Sequence, residues 1–323
     1  MKKNLTRILS LLLVLVLMVG VLPVSALADG WDLTGELDTE QLLERAEPVE
    51  MQSKPAVDGY DYSIMFLDCG RKYYSVDSIK ALIDNAFAAG FNYIQLAVGN
   101  DGLRFLLDDM SLTVGTTYTS KQVSDAIHAG NLAYNATFEK SKPRTPYNPV
   151  TNELTETEMN TIIAYANSKG MGVIPCVNTP GHMDAILYAA TSLTSTNCSY
   201  NGSVRTIDVT NTTAVAFTKA LLQKYITYFA GKGCELFNMG ADEYANDIYT
   251  GGSMGFGNLQ SDGNYSYYVT YVNDVAAMIK NAGMKPMAFN DGIYFNSDTY
   301  SGTFDTEIII CYWSNGWSGY TPM

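Results

Sequence analysis

The feature that most constrains the fold is a repeated alternation of short apolar segments with longer amphipathic segments. The apolar segments are apolar throughout, which is typical of parallel strands covered on both faces. The amphipathic segments carry apolar residues at helical spacing, and some end at a glycine. The pattern predicts strands at 64–67, 93–98, 172–177, 235–239, 286–289 and 308–312, and helices at 75–89, 155–166, 213–229 and 267–281, with a short one near 120–129.

This order of βα units fits either a doubly wound sheet or a (β/α)8 barrel. No glycine-rich phosphate fingerprint follows the first strand, where the sequence reads Cys69-Gly70-Arg71-Lys72. Polar or aromatic residues instead follow nearly every strand, and barrel enzymes place their chemistry at that end of the strands. We therefore predict an α/β fold, a (β/α)8 TIM barrel with about six βα units present and its C-terminal end incomplete.

The first 28 residues have the features of a secretory signal peptide. A basic start is followed by an apolar run at 8–21 and by a small-x-small cleavage site at 26–28. A membrane anchor is the alternative, but the run is short for a bilayer span. Residues 29–60 are acidic and weakly periodic, so we expect an arm or linker before a catalytic barrel domain at 61–323.

The charge of the chain narrows the class of partner. The formal net charge is −13, and removal of the three positive charges of the predicted signal peptide takes it to −16. Such a chain repels nucleic acid phosphates and anionic membranes. We therefore expect a neutral partner such as a glycan, with no nucleic acid and, after signal cleavage, no membrane.

Cysteine and histidine usage argues against disulfide and metal chemistry. The five cysteines are odd in number and form no CxxC pair, and we interpret the four that lie in or beside apolar strand-like runs as buried small apolar residues rather than a disulfide framework. With only His128 and His182, a histidine-rich metal site is excluded. No metal and no organic cofactor are expected.

Two adjacent carboxylates, Asp242 and Glu243, follow the strand at 235–239. Ionisation of one raises the pKa of its neighbour, and glycoside hydrolysis needs one protonated and one charged group. Gly240 and Ala241 leave room for a sugar near the backbone. The structural alternative is a helix N-terminus with acids in its first turn.

The segment 238–243, Asn-Met-Gly-Ala-Asp-Glu, resembles the signature of glycoside hydrolase family 20, the β-N-acetylhexosaminidases. Other segments resemble the strand ends of that family, in the same order along the chain. The likeness is nearest to the surface exo-β-N-acetylglucosaminidases of Gram-positive bacteria. The further matching segments are 66–74, 99–105, 180–184, 288–292 and 312–314.

The resemblance implies a retaining, substrate-assisted mechanism, one of the exceptions to the two-carboxylate rule. The 2-acetamido oxygen of the substrate attacks the anomeric carbon and gives an oxazolinium intermediate. Because the nucleophile is already attached to the substrate, little entropy is lost in positioning it. By position, Glu243 is the general acid and then the base, and Asp242 holds the acetamide N–H. The expected location is secreted or on the cell surface of a Gram-positive bacterium.

Further site residues follow from the same resemblance. His182 matches the histidine behind the general acid, and Trp313 matches the tryptophan that walls the acetamide pocket, since an indole packs well against a methyl group. Asn290 and Asp291 are candidate ligands for sugar hydroxyls. Asp101 and Arg104 either pair with each other or bind substrate. Asn238, within the signature, and Arg71 complete the candidate binding residues.

The sequence departs from the family pattern at three places. An arginine that grips the sugar hydroxyls in many members falls near Ser63 here, and Arg71 is the candidate substitute. After the second strand the family often has Asp-Asp-Gln, whereas residues 99–101 read Gly-Asn-Asp, so the acidic partner of His182 is left open. The family's Tyr and Asp after the seventh strand and Trp after the eighth have no counterpart before Met323. We therefore expect a fragment that is weakly active or inactive alone.

Of three rival functions, one is disfavoured and two stay open. Family 18 chitinases space their acids along one strand, unlike the adjacent Asp242 and Glu243, so they are disfavoured. A lacto-N-biosidase of the same family would release a disaccharide instead of GlcNAc or GalNAc. A glycan-binding module would bind without hydrolysis.

Overall fold

The computed structural model describes residues 60–138, 147–250, 253–293 and 302–314, without the side chains of 135–138 and 253–254. The predicted signal peptide and nearly all of the predicted arm lie outside these residues. The strands, in chain order, are β1 (Ile64–Asp68), β2 (Tyr93–Asn100), β3 (Gly102–Leu103), β4 (Leu112–Val114), β5 (Thr116–Tyr118), β6 (Gly172–Thr179), β7 (Leu236–Gly240), β8 (Tyr249–Thr250), β9 (Ser253–Met254), β10 (Lys285–Phe289) and β11 (Ile309–Cys311).

Six of these strands form one parallel sheet in the spatial order β1-β2-β6-β7-β10-β11. Each new strand of the six joins the same side of the previous one, so the spatial order follows the chain order. A doubly wound sheet instead reverses its strand order at a switch point. The barrel prediction is therefore confirmed as a curled, mostly parallel part-barrel, and the doubly wound alternative is wrong.

Seven helices are found in the described residues, and the four long predicted ones are confirmed. Ser75 and Asn211 cap two of them by accepting hydrogen bonds from backbone N–H groups, and Thr155 forms a capping box with Glu158. These caps explain why the sequence predicts where these three helices begin. The helices are α1 (Val76–Ala88), α2 (Ser120–Phe138), α3 (Glu156–Ser168), α4 (Asp184–Thr194), α5 (Thr212–Gly231), α6 (Phe256–Ser261) and α7 (Tyr265–Asn281).

Several elements differ from the sequence prediction. The helix near 120–129 continues to Phe138, and α4 lies between the predicted strand at 172–177 and the predicted helix at 213–229, where the sequence pattern predicts no helix. Its N-cap, Met183, makes no side-chain capping bond, so the usual start signal is missing. The helix α6 and the two short hairpins β4-β5 and β8-β9 were also missed, because such short elements carry little periodicity.

The core has two parts. The larger cluster contains residues from both strands and helices, and it therefore fills the layer between them. The smaller cluster contains Tyr93, Ile174, Leu236 and Met287, one residue from each of four neighbouring strands. It accordingly lies on the face of the sheet that the helices do not cover, the interior of a barrel.

All five cysteines are unpaired rather than part of a disulfide framework, and four of them are buried, whereas Cys311, which lies in a predicted strand, is only partly buried. No helix in the described part of the chain combines the length and the apolar character needed to cross a bilayer. The carboxyl ends of the six parallel strands meet at one edge of the sheet, and this edge positions the site described next.

Candidate active site

A cavity of about 390 Å³ lies at the carboxyl ends of the parallel strands. Its aromatic lining consists of Phe66, Phe289 and Trp313. A polar and charged set makes up the rest of the described lining: Arg71, Asn100, Asn178, His182, Asp242 and Glu243. The mixture of aromatic faces with hydrogen-bonding groups suits a sugar, which has apolar faces and polar edges.

A larger cavity of about 480 Å³ is lined by residues of α2, α4 and the following loop. Asp184 is the one carboxylate in the lining that the structure describes there. It lacks the paired acids of the smaller cavity, so the smaller cavity is the better candidate for chemistry.

A sharp turn after β7 brings Asp242 and Glu243 to the cavity. Gly240, Ala241 and Glu243 all have positive φ angles, of 78°, 67° and 48°. At Gly240 a β-carbon would collide with the side chain of Asn178, so a glycine is required at this point. The turn lets two consecutive residues present their carboxylates to the same cavity.

Asp242 is held by Asn178, whose Nδ2 donates to Asp242 Oδ1 at 2.6 Å. Burial raises the pKa of Asp242, against the opposing effects of the His182 charge and this hydrogen bond. Its carboxylate is therefore fixed in direction but poorly solvated, and a ligand donor or positive charge would stabilise it.

Glu243 is joined to two further side chains in series. His182 Nε2 lies 3.0 Å from Glu243 Oε2, and His182 Nδ1 lies 2.7 Å from Asp101 Oδ1. His182 and Asp101 are 4% and 2% exposed, and both have positive φ angles. Asp101 is thus the acidic partner of His182 that the sequence left open.

Arg71 binds Asp101 at the end of this hydrogen-bonded series that lies away from Glu243. Its Nε donates to Asp101 Oδ2 at 2.7 Å, and its Nη1 donates to Asp68 Oδ2 at 3.1 Å. Its Nη2 lies 3.1 Å from His182 Nδ1. Arg71 therefore lines the cavity while two of its nitrogens are engaged with carboxylates.

The charges of these groups are interdependent. Burial alone would lower the pKa of His182, but hydrogen bonds to Asp101 and Glu243 outweigh burial and raise that pKa to about 10. The hydrogen bond from His182 in turn lowers the pKa of Glu243. Burial would raise the pKa of Asp101, yet His182 and Arg71 hold it well below its usual value. In the free protein the proton shared by Glu243 and His182 therefore resides on His182.

Asp291 connects the acid pair to the aromatic wall. The backbone N–H of Glu243 donates to Asp291 Oδ2 at 2.8 Å, and the indole Nε1 of Trp313 donates to Asp291 Oδ1 at 3.2 Å. Burial, followed by the charge of Asp242, raises the pKa of Asp291 to about 7. Asp291 thus orients both Glu243 and Trp313 from behind the cavity lining.

Besides Asp101 and Asp291, three further predicted binding residues have side chains engaged with other parts of the chain, and their role as sugar ligands stays a prediction. Arg104 is buried, donates to the Gly70 carbonyl at 2.8 Å and lies over the Tyr147 ring. Asn238 is fully buried and its Oδ1 accepts from the Gly240 N–H. Asn290 is also fully buried and donates to Ser314 at 2.6 Å. None of the three is among the described residues that line the cavity.

Sequence reasoning missed other residues of the site. Asn178 and Asn100 are both polar residues at strand ends, which was the available signal, yet neither was selected as a site residue. Phe66 and Phe289 also line the cavity, and their rings contact each other edge to face at 6.5 Å between centroids. As apolar residues within strands, they give no sequence signal that separates them from core residues.

Comparison with known families gives a match at residues 60–320 to the catalytic domain of glycosyl hydrolase family 20. Among curated proteins, a lacto-N-biosidase of Bifidobacterium bifidum is 28% identical over 169 residues, which is 49% of this chain and 14% of that protein.

Two solved structures of the pneumococcal protein StrH are similar to this chain. One, from work on N-glycan recognition and hydrolysis, is 40% identical with a TM-score of 0.73 and is matched over 83% of this chain and 62% of its own. The other is from the tandem catalytic modules of that exo-β-D-N-acetylglucosaminidase, at 42% identity, TM-score 0.71 and coverage of 80% and 60%. The chain thus spans about three fifths of these structures. A Bacteroides fragilis β-N-acetylhexosaminidase, at 21% identity and TM-score 0.55, shares the fold.

Proposed function

Because the chain belongs to glycosyl hydrolase family 20, we propose that it is a secreted β-N-acetylhexosaminidase that removes terminal β-linked GlcNAc or GalNAc from glycans with retention of configuration. The observation that carries the proposal is the pair Asp242 and Glu243 in one cavity, the first held by Asn178 and the second by His182. Glycoside hydrolysis needs two acidic groups with different environments, and this pair has them.

In the proposed reaction the acetamide oxygen of the substrate forms a bond to the anomeric carbon as the glycosidic bond breaks. Glu243 gives its proton to the departing oxygen and is left as a carboxylate, which accepts the hydrogen bond of the His182 Nε2–H. Asp242 accepts the acetamide N–H and stabilises the positive charge of the oxazolinium ring. Water then attacks the anomeric carbon, Glu243 takes its proton, and the acetamide is restored.

Trp313 supplies the wall against which the acetamide methyl group packs in this proposal. Its indole N–H donates to Asp291, and the residue is 38% exposed, so part of it is accessible to a ligand. Phe66 and Phe289 line the same cavity and offer apolar contacts to the sugar.

The test of the mechanism is a series of 4-nitrophenyl glycosides of GlcNAc whose N-acetyl group carries zero, one, two or three fluorines. Fluorine withdraws electrons from the amide oxygen that must attack, so kcat/KM of the full-length protein should fall steadily, by at least about tenfold over the series. A rate that does not depend on fluorination would mean that a protein carboxylate, and not the acetamide, is the nucleophile.

A lacto-N-biosidase is the second candidate, and the similarity to the Bifidobacterium bifidum enzyme favours it. The two activities are separated by comparing 4-nitrophenyl glycosides of GlcNAc, GalNAc and lacto-N-biose. Release of nitrophenol from the disaccharide alone would assign the second activity.

The pH profile tests the role of His182. We expect His182→Gln to move the basic limb of the kcat/KM profile to higher pH, because that limb follows the ionisation of the general acid. In the wild-type protein the hydrogen bond and the charge of His182 lower the pKa of Glu243. Glutamine carries no charge, so Glu243 should keep its proton to higher pH in the variant.

His128→Gln is the matched control, because His128 bonds to Glu153 and not to the cavity residues. The control should keep the wild-type profile. A basic limb in His182→Gln that is unchanged, or that moves to lower pH, would contradict this role of His182.

A further inference from the structure

The two oxygens of Glu243 have different surroundings. Oε2 accepts two hydrogen bonds, from His182 Nε2 at 3.0 Å and from Asn246 Nδ2 at 2.7 Å. Among the described residues, no hydrogen bond reaches Oε1. Since Oε2 is occupied by two donors, Oε1 is the oxygen left to exchange a proton with a ligand in the cavity.

The direction of the Asn246 amide is fixed by Arg205. Arg205 Nη1 donates to Asn246 Oδ1 at 3.4 Å. A flipped amide would set its NH2 against the guanidinium and its oxygen against the Glu243 carboxylate, and both contacts would be repulsive. The amide therefore has one favourable orientation, with Nδ2 on Glu243.

The backbone around Asn246 is held by the loop before α5. The N–H of Asn246 donates to the Glu243 carbonyl at 3.2 Å, which closes a turn. The N–H of Ala245 donates to Thr206 Oγ1 at 3.0 Å, and Asp247 accepts hydrogen bonds from Ser203 Oγ and Val204 N at 2.7 and 2.8 Å. Hydrogen bonds of the residues on both sides of Asn246 thus fix the position of its side-chain amide.

We propose that Asn246, oriented by Arg205, is a positioning residue that holds Oε2 of Glu243 so that Oε1 delivers the proton to the leaving oxygen. This inference rests on the proposed function of Glu243 as general acid. In the step concerned the proton moves from Oε1 to the glycosidic oxygen as the bond from that oxygen to the anomeric carbon breaks. The electron pair of the broken bond stays with the leaving oxygen, and Glu243 becomes a carboxylate that His182 and Asn246 stabilise.

The experiment measures kcat/KM of the full-length protein on aryl β-GlcNAc substrates whose leaving groups range from 2,4-dinitrophenol to phenol. Dinitrophenolate leaves without help, whereas phenolate needs the proton. We expect Asn246→Ala to lose about 10- to 100-fold on the phenyl substrate, in kcat more than in KM, and less than about threefold on the dinitrophenyl substrate. Asn246→Asp keeps the size of the side chain and its contact with Arg205 but removes the donor, and it should show the same dependence.

Asp247→Asn is the matched control, since Asp247 holds the same turn through Ser203 and Val204 without a hydrogen bond to Glu243. Its effect should be equal on both substrates. Equal losses on both substrates in Asn246→Asp, or the same leaving-group dependence in Asp247→Asn, would overturn the role assigned to Asn246. The function of Glu243 is tested separately by Glu243→Gln, which should remove most turnover of the phenyl substrate. A failure of the proposed general acid and a failure of the role assigned to Asn246 are therefore distinguishable.

Discussion

Glu243→Gln is expected to lower kcat/KM of the full-length protein on phenyl β-GlcNAc by about 10²- to 10⁴-fold, the usual contribution of a general acid. The amide keeps the size of the side chain and can still bond to His182 and Asn246, but it has no proton of suitable acidity to give. The measurement is steady-state kinetics on the phenyl and dinitrophenyl glycosides, with the smaller loss on the second.

The same variant should be accelerated by azide on the dinitrophenyl substrate, with β-glycosyl azide as the product. Azide attacks without losing a proton, so it needs no base, and attack on an oxazolinium ring gives the retained β configuration. Glu235→Gln is the matched control, because Glu235 directly precedes β7, at the end opposite Glu243, and accepts from the Tyr93 hydroxyl at 2.7 Å. If the wild-type protein instead bound GlcNAc without turning over any substrate, and Glu243→Gln left that affinity unchanged, the protein would be a glycan-binding module.

Asp242→Asn is expected to lower kcat on the same substrates by about 10²- to 10³-fold, the scale found when one group that stabilises developing charge is removed. Asparagine can still accept the acetamide N–H and the Asn178 bond through its oxygen, but it provides no negative charge for the oxazolinium ring. The loss should therefore appear mainly in kcat rather than in KM.

The pH profile gives a second readout for Asp242. The proposed reaction needs Asp242 ionised, and burial raises the pKa of Asp242. The acid limb of the wild-type profile should therefore lie above the usual aspartate range, since activity is lost as the pH falls through a raised pKa. Asp242→Asn should remove this limb. Asp274→Asn, at a surface pair with Lys219, is the control and should keep both the rate and the limb.

Much of the fold was readable from the sequence because local rules determine it. The strands β2 and β6 are buried along their whole lengths, so they appear as mostly apolar runs without the alternation of a half-exposed strand. The helix α3 begins with a capping box that can be identified from residues three positions apart. In contrast, α4 has no such cap, and it was missed.

The site was predictable only in part. Asp242 and Glu243 are adjacent in sequence, so their proximity required no fold. Asp101 and His182 are 81 residues apart, and their 2.7 Å contact depends on two tight turns with positive φ angles. Arg104, Asn238 and Asn290 lie within four residues of site residues along the chain, yet their side chains are buried, where they satisfy buried polar groups.

By itself, the sequence determined the alternation of strands and helices, the end of the sheet at which polar residues gather, and the identity of the two acids. These properties follow from side-chain periodicity and from neighbours along the chain, which act over a few residues. Only the tertiary structure decided that Asp101 is the partner of His182, that Asn178 holds Asp242 and that Asn246 and Arg205 stand beside Glu243. Such contacts join residues from different strands and loops, and their geometry depends on how the whole sheet curls, which no short stretch of sequence encodes.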